Sequence, residues 1–363
     1  MLKKILSLCI MVTTTLVTTA QTTGREQAQA KKDKAIQLMD EGKIEPSIAL
    51  LEEAIKLDPD DLTYPYEIGY AKYLAKDYAA TIEIMKKLVK KKYAFPGVYQ
   101  LLGNCYDMTG DADKAIDTYE KGLKEFPDAG NLYLEMGVMQ MAKKDYAKAI
   151  GYFEGGVKAA PKHSSNYYWL GKLFCNSDTQ VWGMLYGEIF MNIERGSKRT
   201  AEMSKLLYLT YKNSIQFKDT VKTVAFNKLN IVVTDLKDLK GAAELMKSYG
   251  TFVYEFLILE AITPENHIDL ASLSRIRESF LQGYYQKGHA EKYPNLLFEY
   301  QQKVKQNGYL EAYNYWLLSQ GNAEEFEIWK GANKTKWEDF IRWFQQNPLE
   351  ITPENKFYRA QYL

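Results

Sequence analysis

The sequence predicts an all-α fold: a right-handed solenoid of helical hairpins, then a mostly helical C-terminal domain with one short β-hairpin near residues 219–235. Two observations carry this prediction. Small and large residues recur at a fixed interval of 34 along the first half of the chain, and this interval disappears after Ser197. The 363 residues are 46% hydrophobic and 26% charged, which is typical of a folded chain. The 28 tyrosines and 6 tryptophans exceed what helix contacts alone require, so some rings remain for a binding surface.

A small residue marks each interval. Gly69, Gly103, Gly137 and Gly171 lie 34 residues apart, and Ala35 precedes them by one interval. A second small position holds Ser47, Thr81, Ala115, Ala149 and Gly183, and a large position holds Leu51, Met85, Tyr119 and Phe153. Small residues allow the two helices of a hairpin to approach closely, and the large residue fills the gap against the next hairpin.

Turn residues and prolines divide the first half into units. The turn dipeptides are Gly42-Lys43, Lys76-Asp77, Gly110-Asp111 and Lys144-Asp145, and the closing prolines are Pro59, Pro127 and Pro161. Glycine and aspartate favour tight turns, and proline cannot continue a helix. The predicted units are 28–61, 62–95, 96–129, 130–163 and a degenerate unit 164–197, after a short linker at 21–27.

The third and fourth units closely resemble the tetratricopeptide repeat (TPR), and the first two resemble it less well. In the fifth unit only the first helix matches, because Gly183 and Gly187 take a small and a large position. This departure predicts that the second helix of that unit packs against something other than another repeat. The resemblance covers 28–197 and implies a protein that binds a protein or peptide partner and is not an enzyme.

In TPR proteins the first helix of each unit lines a groove in which peptides dock. The resemblance places in this groove Thr63, Tyr66, Tyr70, Tyr73, Gln100, Asn104, Asp107, Asn131, Leu134, Val138, Tyr168 and Lys172. The alternative is that some of these side chains fill the groove or contact the C-terminal half. The carboxylate clamp of some TPR domains is not expected, because Gln100 stands where that clamp has lysine and the next unit offers Leu134 and Glu135.

The second half, 198–363, carries fewer signals. The segment DTVKTVAFNKLNIVVTD is rich in β-branched residues, which favours the short hairpin or, as the alternative, a pair of strands. Near the end, Trp337, Phe340, Ile341 and Phe344 are spaced to form one apolar stripe on a helix. The stripe is interpreted either as a core face that seals the end of the solenoid or as a partner-binding face.

The N-terminus predicts export. Lys3 and Lys4 precede an apolar run from Ile5 to Val17, followed by small residues up to Ala20. This order is typical of a secretory signal peptide cleaved after Ala20, and the alternative is an uncleaved anchor. The expected location is the periplasm, with no membrane span in the mature chain. Of the cysteines, Cys105 and Cys175 are expected to be free thiols on separate helices.

The sequence offers no catalytic, metal or cofactor motif: none of the Ser-elbow, zinc-helix, P-loop or C-x-x-C patterns is present. The three histidines lie at expected loops or helix starts, where solvent exposure explains them. The formal net charge of +1 argues against nucleic acid as a partner. The predicted function is therefore an exported interaction scaffold. The alternatives are a binder of a small ligand or glycan between the two halves, where tryptophans stack on sugar rings, and an enzyme built on the second half.

Overall fold

The structure, a computed structural model, describes residues 23–218, 221–227 and 249–362. The predicted all-α class is confirmed, because these residues form helices, their connections and one two-stranded antiparallel sheet. The predicted signal peptide, 1–20, lies outside the described residues. The chain divides into two compact units, Met1–Met139 (unit 1) and Gln140–Leu363 (unit 2). The boundary expected after residue 197 stays a prediction.

Unit 1 consists of helical hairpins, as the turn signals predict. Its helices are α1 (23–40), α2 (Ile44–Leu57), α3 (Thr63–Leu74), α4 (Tyr78–Leu88), α5 (Pro96–Met108), α6 (Ala112–Glu125) and the start of α7 (Gly130–Ala142). The predicted turns have left-handed backbone at Gly42 (φ 76°), Lys76 (φ 63°) and Gly110 (φ 85°). After the turn, Asp77 accepts a hydrogen bond from the Ala80 N–H at 3.1 Å and so caps α4. Asp111 caps α6 in the same way.

The repeated small and large positions meet inside each hairpin. A Cβ atom on Gly103 would lie 2.2 Å from Cε1 of Tyr119, and one on Gly69 would lie 2.2 Å from Cε of Met85. Met85 also belongs to a buried cluster with Val98 of the next hairpin. The large residue therefore fills space in its own hairpin as well as against the next one, whereas the sequence predicted only the second contact.

Unit 2 begins with the second helix of the fourth repeat and the degenerate fifth repeat, and continues into other helical packing. Its first helices are α8 (Tyr146–Ala159), α9 (Ser164–Cys175), α10 (Gln180–Ile193) and α11 (Lys198–Ser214). Strands β1 (Ile215–Lys218) and β2 (Val221–Val224) follow, and then a π-helix (Tyr249–Glu255) that runs into α12 (Phe256–Ala261). The last helices are α13 (Leu270–Gln286), α14 (His289–Lys292), α15 (Leu296–Gln306), α16 (Leu310–Leu318), α17 (Ala323–Ala332) and α18 (Lys334–Gln346).

The β-hairpin begins earlier than the sequence predicts. Ile215 pairs with Val224 and Lys218 with Val221, so the hairpin starts four residues before the expected 219. The carbonyl of Ser214 accepts a hydrogen bond from Ala225 N–H at 2.8 Å, and this bond continues the strand pairing to the end of α11. Residues 228–235 of the predicted range lie outside the described part of the chain.

The second helix of the degenerate repeat packs as its unusual glycines indicate. A Cβ atom on Gly187 of α10 would lie 2.7 Å from the sulfur of Met203 on α11. Helix α10 therefore packs against the non-repeating part of the chain, which confirms the prediction. Within the C-terminal stripe, Phe340 and Phe344 are 0% and 3% exposed, so that stripe is a core face.

Candidate functional site

A hydrogen-bond network joins the first helices of the third and fourth repeats in unit 1. The side-chain amide of Asn131 on α7 donates to Oε1 of Gln100 on α5 at 2.8 Å. The amide of Gln100 in turn donates to Oε1 of Glu135 on α7 at 2.7 Å. Two residues predicted for the groove thus form a chain of hydrogen bonds that ends at a carboxylate not predicted for it.

A second branch of the network reaches the same carboxylate. The buried hydroxyl of Tyr119 donates to Oδ1 of Asn104 at 2.6 Å, and the Asn104 side chain also hydrogen-bonds Glu135. With the acceptor oxygen of Asn104 occupied by the tyrosine, its amide N–H is the group that donates to the carboxylate. Both branches therefore direct their donors toward Glu135, which favours its ionised form.

Glu135 has an electrostatic environment without a counter-ion. Burial raises the pKa of this carboxyl, the bonds from Gln100 and Asn104 lower it, and the nearby charge of Asp107 raises it, with a net upward shift. Among the described residues, no lysine or arginine is one of the groups that set this pKa. Asp107, a predicted groove residue, is exposed. The charge of Glu135 is thus stabilised only by neutral donors.

Three predicted tyrosines form a stripe on α3. Tyr66, Tyr70 and Tyr73 follow one another at the spacing of one helix face. The ring of Tyr66 meets Phe95 edge-on at 5.0 Å, and burial raises the pKa of its hydroxyl to about 12. Tyr70 is 38% exposed and stacks against Tyr73 at 6.4 Å. Tyr70 is thus the ring of this stripe that presents most surface to a partner.

Tyr73 interacts electrostatically with the carboxylate of Glu135. Burial is the main reason why the pKa of Tyr73 is raised, and the charge of Glu135 adds to the shift. The pKa of Tyr119 is raised mainly by burial, with Glu135, Asp107 and Tyr73 contributing. These groups of α3, α5, α6 and α7 therefore lie within electrostatic range of one another. We call the surface formed by Tyr70, Tyr73, Asp107, Leu134 and Glu135 the first-helix face.

The two predicted groove residues of unit 2, Tyr168 and Lys172, both bind the side chain of Glu202 in the second half of the chain. Tyr168 is 6% exposed and donates its hydroxyl hydrogen to Oε2 of Glu202 at 2.5 Å. Lys172 forms an ion pair with Oε1 of the same glutamate at 2.7 Å. This arrangement matches the alternative that some groove residues contact the C-terminal half. Whether these two residues also bind a partner stays a prediction.

Sequence reasoning missed Glu135 although the interval contained a signal. Glu67 and Glu135 occupy the same position of a first helix, two intervals apart, and Asp33 occupies it one interval before Glu67. Leu101 and Trp169 hold the other two equivalent positions. Burial raises the pKa of Glu67, although the charge of Lys32 lowers it. A comparison of acidic residues across the 34-residue interval would have found this recurring half-buried carboxylate.

The histidines differ from the expected exposed loop residues. His163 and His289 are half-buried, and burial lowers the pKa of each. His267 is exposed and lies 2.8 Å from the carboxylate of Asp269. That carboxylate caps α13 by accepting from the Ser272 N–H, and the Ser272 hydroxyl donates to the Asp269 carbonyl oxygen. Asp269 and Ser272 thus form the N-terminal cap of α13, and the contact between His267 and Asp269 is part of this cap.

Metal ligands, cysteine thiols and apolar helices are the remaining features for which the sequence makes predictions. In the described ranges, no group of three or more histidine, cysteine or acidic residues is arranged to hold a metal ion. Cys105 and Cys175 are buried and free, as predicted. Burial raises the pKa of the Cys105 thiol to about 11 and that of Cys175 to about 12, which makes both thiols unreactive. Of the helices described, none is long and apolar enough to cross a membrane.

Unit 2 contains a cavity of about 290 Å³ that combines aromatic and polar groups. It is lined by residues of α10 and α11, their connection, and the C-terminal helices: Met191, Gly196, Ser197, Thr200, Ala201, Ser204, Trp316, Ser319, Gln320, Phe326 and Trp337. Several of the hydroxyl groups already bond within the protein; Ser204, for example, accepts from the Gln320 N–H at 3.1 Å. The apolar side chains that line the cavity are those of Met191, Ala201, Trp316, Phe326 and Trp337.

Comparison with known proteins finds similarity to repeat proteins. The family model of the tetratricopeptide repeat matches residues 102–164, so this segment is similar to TPRs. Human cilia- and flagella-associated protein 70 is 28% identical over 101 residues, which are 27% of this chain and 9% of that protein. The bovine BBSome complex member BBS4 is 27% identical over 126 residues, 32% of this chain and 24% of that protein. The chain thus spans less than a quarter of each relative's length.

The chain also resembles solved structures of other proteins. A crystal structure of a thermophilic TPR protein from Thermus thermophilus superposes with a TM-score of 0.42 and 16% sequence identity. The match covers 50% of this chain and 98% of the other.

Proposed function

We propose that this protein is a non-enzymatic scaffold that binds a segment of a partner protein on the first-helix face of unit 1. The observation that carries the proposal is the network in which Gln100 and Asn104 hold the half-buried carboxylate of Glu135 beside an exposed tyrosine stack. Polar groups fixed by neighbouring side chains are preorganised for recognition, since little conformational entropy is lost on binding. The TPR match at 102–164 includes α7 and the end of α5, which carry Leu134, Glu135 and Asp107 of this face.

The composition of the face suits a polypeptide better than a reacting substrate. Tyr70 supplies an amphipathic ring, Leu134 supplies half-buried apolar surface, and Asp107 and Glu135 supply acceptors. Tyrosine is enriched among residues that dominate binding energy in protein interfaces. An extended or helical segment makes contacts with such alternating groups along its length.

The proposal includes export to the periplasm with removal of 1–20, on the support of the charged, apolar and small-residue order at the N-terminus. Expression of the full chain in a bacterium with a periplasm is expected to give mature protein in the periplasmic fraction. Intact-mass measurement would show loss of the first twenty residues. Full-length chain confined to the cytosol would contradict export.

Site-specific photo-crosslinking tests the binding face. A benzophenone amino acid replaces Tyr70, which is 38% exposed on the face, or Tyr93, which is 72% exposed in the α4–α5 connection. We expect a crosslinked partner of discrete mass with the probe at position 70 and a much weaker product with the matched probe at 93. Equal crosslinking at the two positions, or none at 70, would refute the proposed face.

A second candidate function is binding of a small ligand or glycan in the cavity of unit 2. Trp316 and Trp337 line a space of about 290 Å³, close to the lower size limit of ligand pockets. A glycan that binds the folded state there is expected to raise the melting temperature of the chain, and Trp316→Ala is expected to abolish the shift. A panel of glycans that leaves the melting temperature unchanged would count against this candidate.

A further inference from the structure

The charge of Glu135 on the first-helix face has no opposite charge among the described groups that set its pKa. A half-buried carboxylate loses much of its hydration, and the loss is tolerated when hydrogen bonds or an opposite charge replace the water. Gln100 and Asn104 supply the hydrogen bonds, but both are neutral. No lysine or arginine of the described chain contributes to the pKa of Glu135, and Asp107 adds a second negative charge.

Three other carboxylates of the described chain, two of them buried, pair with a cation, whereas the buried Glu255 is held by neutral donors. Glu154 of α8 is 9% exposed and pairs with Arg359 at 3.0 Å, and Glu202 pairs with Lys172 at 2.7 Å. Glu188 is 4% exposed and pairs with Arg277 at 2.6 Å. Glu135 differs from these three because neutral amides take the place of the cation. A counter-charge from outside the chain would complete the same arrangement.

The rings beside Glu135 suit the rest of a cationic side chain. Tyr70, which is 38% exposed, stacks with Tyr73, and Tyr73 lies within electrostatic range of Glu135. Tyrosine faces attract ammonium and guanidinium groups, and the apolar stem of lysine or arginine packs on aromatic surface. The same pattern occurs at Lys172, whose ammonium lies 5.2 Å from the centre of the Tyr168 ring while it pairs with Glu202.

We infer that the first-helix face binds a cationic segment of its partner and that a lysine or arginine of that segment pairs with Glu135. This inference rests on the proposed function and specifies the partner by charge. The Glu135 carboxylate retains acceptor capacity for such a cation, because two of its roughly four acceptor sites are used by Gln100 and Asn104. A metal ion is disfavoured as the occupant, since its ligand set would need more than the donors present here.

Peptide binding tests the inference. Three fluorescent peptides of about twelve residues, a little over three helical turns, share alanine and leucine positions and carry lysine, glutamine or glutamate at the remaining ones. Anisotropy titrations with the mature full chain are expected to give the tightest binding for the lysine peptide, by about tenfold over the glutamine peptide. Its affinity is expected to fall as salt concentration rises.

Two variants separate the pairing with Glu135 from a general charge effect. Glu135→Gln keeps an acceptor oxygen for Gln100 or Asn104 and removes the charge; it is expected to lose the tenfold preference for lysine while keeping the melting temperature. Glu120→Gln makes the same change at an exposed position of α6, a second helix, and is expected to keep the preference. An equal loss in both variants would overturn the pairing, because it would show a non-specific field.

The remaining outcomes distinguish the inference from the proposed function. Equal binding of all three peptides with loss on Tyr70→Ala would retain the face and overturn its cation preference. No binding of the lysine peptide at millimolar concentration would overturn the inference, while crosslinking at position 70 would still decide the proposed function. Self-association of the chain that disappears in Glu135→Gln would also overturn it, because a second copy would then be the occupant.

Discussion

Replacement of Arg277 by methionine is expected to lower the free energy of unfolding of unit 2 by about 3–5 kcal/mol. Arg277 on α13 and Glu188 on α10 form an ion pair at 2.6 Å, and their side chains are only 7% and 5% exposed. Burial opposes the charged form of Arg277, but the adjacent carboxylate outweighs this effect and holds its pKa above the ordinary value. Removal of the guanidinium would leave the Glu188 carboxylate buried without a counter-charge.

The other partners of Glu188 do not compensate for this loss. Gln301 and Tyr313 donate to the same carboxylate oxygen at 2.6 and 2.8 Å, so the ion is hydrogen-bonded from three helices. Arg277 also donates to Asn314 at 2.7 Å and to the hydroxyl of Tyr211 at 3.0 Å. Its removal therefore takes this donor from Asn314, which adds to the penalty, while the Tyr211 hydroxyl keeps the Tyr254 hydroxyl at 3.1 Å.

A double variant provides the control. Glu188→Gln together with Arg277→Met removes both charges and leaves an amide for Gln301 and Tyr313, so it is expected to be more stable than Arg277→Met alone. Urea unfolding of the three chains measures the difference, provided that the dependence on denaturant stays the same. If the double variant were less stable than the single one, desolvation of Glu188 would not be the reason for the loss.

The network around Glu188 also shows where sequence reasoning reaches its limit. Arg277 lies 89 residues from Glu188 and Tyr313 lies 125 residues from it. Neither separation is a multiple of the 34-residue interval. A polar residue on an otherwise apolar helix does not indicate which distant residue it will bond. The sequence indicated only that α10 leaves the repeat pattern, because Gly183 and Gly187 differ from the residues expected there.

The repeats of unit 1 were predictable because their determinants are local. A hairpin turn is specified by one residue with left-handed backbone and an aspartate that caps the next helix, as at Gly110 and Asp111. The contact between Gly103 and Tyr119 spans 16 positions and recurs at the interval. The candidate site was predictable only in part, since Gln100, Asn104 and Asn131 were placed in the groove but the carboxylate to which Gln100 and Asn104 donate was not.

Substitution of Gly183 by alanine is expected to cost about 3 kcal/mol of the free energy of unfolding. A Cβ atom there would lie 2.3 Å from the backbone nitrogen of Cys175 and 2.8 Å from the carbonyl carbon of Phe174. Both atoms belong to the backbone at the end of α9, so α9 and α10 would have to move apart. Gly151 of α8 is the matched control: nothing lies within 4 Å of its Cβ position. Gly151→Ala is expected to stabilise the chain by up to about 1 kcal/mol through helix propensity.

A third glycine separates contact with backbone from contact with a side chain. The Cβ atom of alanine at position 103 would approach the ring of Tyr119 to 2.2 Å, a distance shorter than the one at Gly183. A ring can turn and shift where a helix backbone cannot, so Gly103→Ala is expected to cost less than Gly183→Ala despite the shorter distance. Thermal and urea unfolding of the three variants test this order. If Gly103→Ala lowered the free energy of unfolding more than Gly183→Ala, the hairpins of unit 1 would adjust less easily than the contact between α9 and α10. The distance to the nearest atom, and not the type of that atom, would then determine the loss of stability.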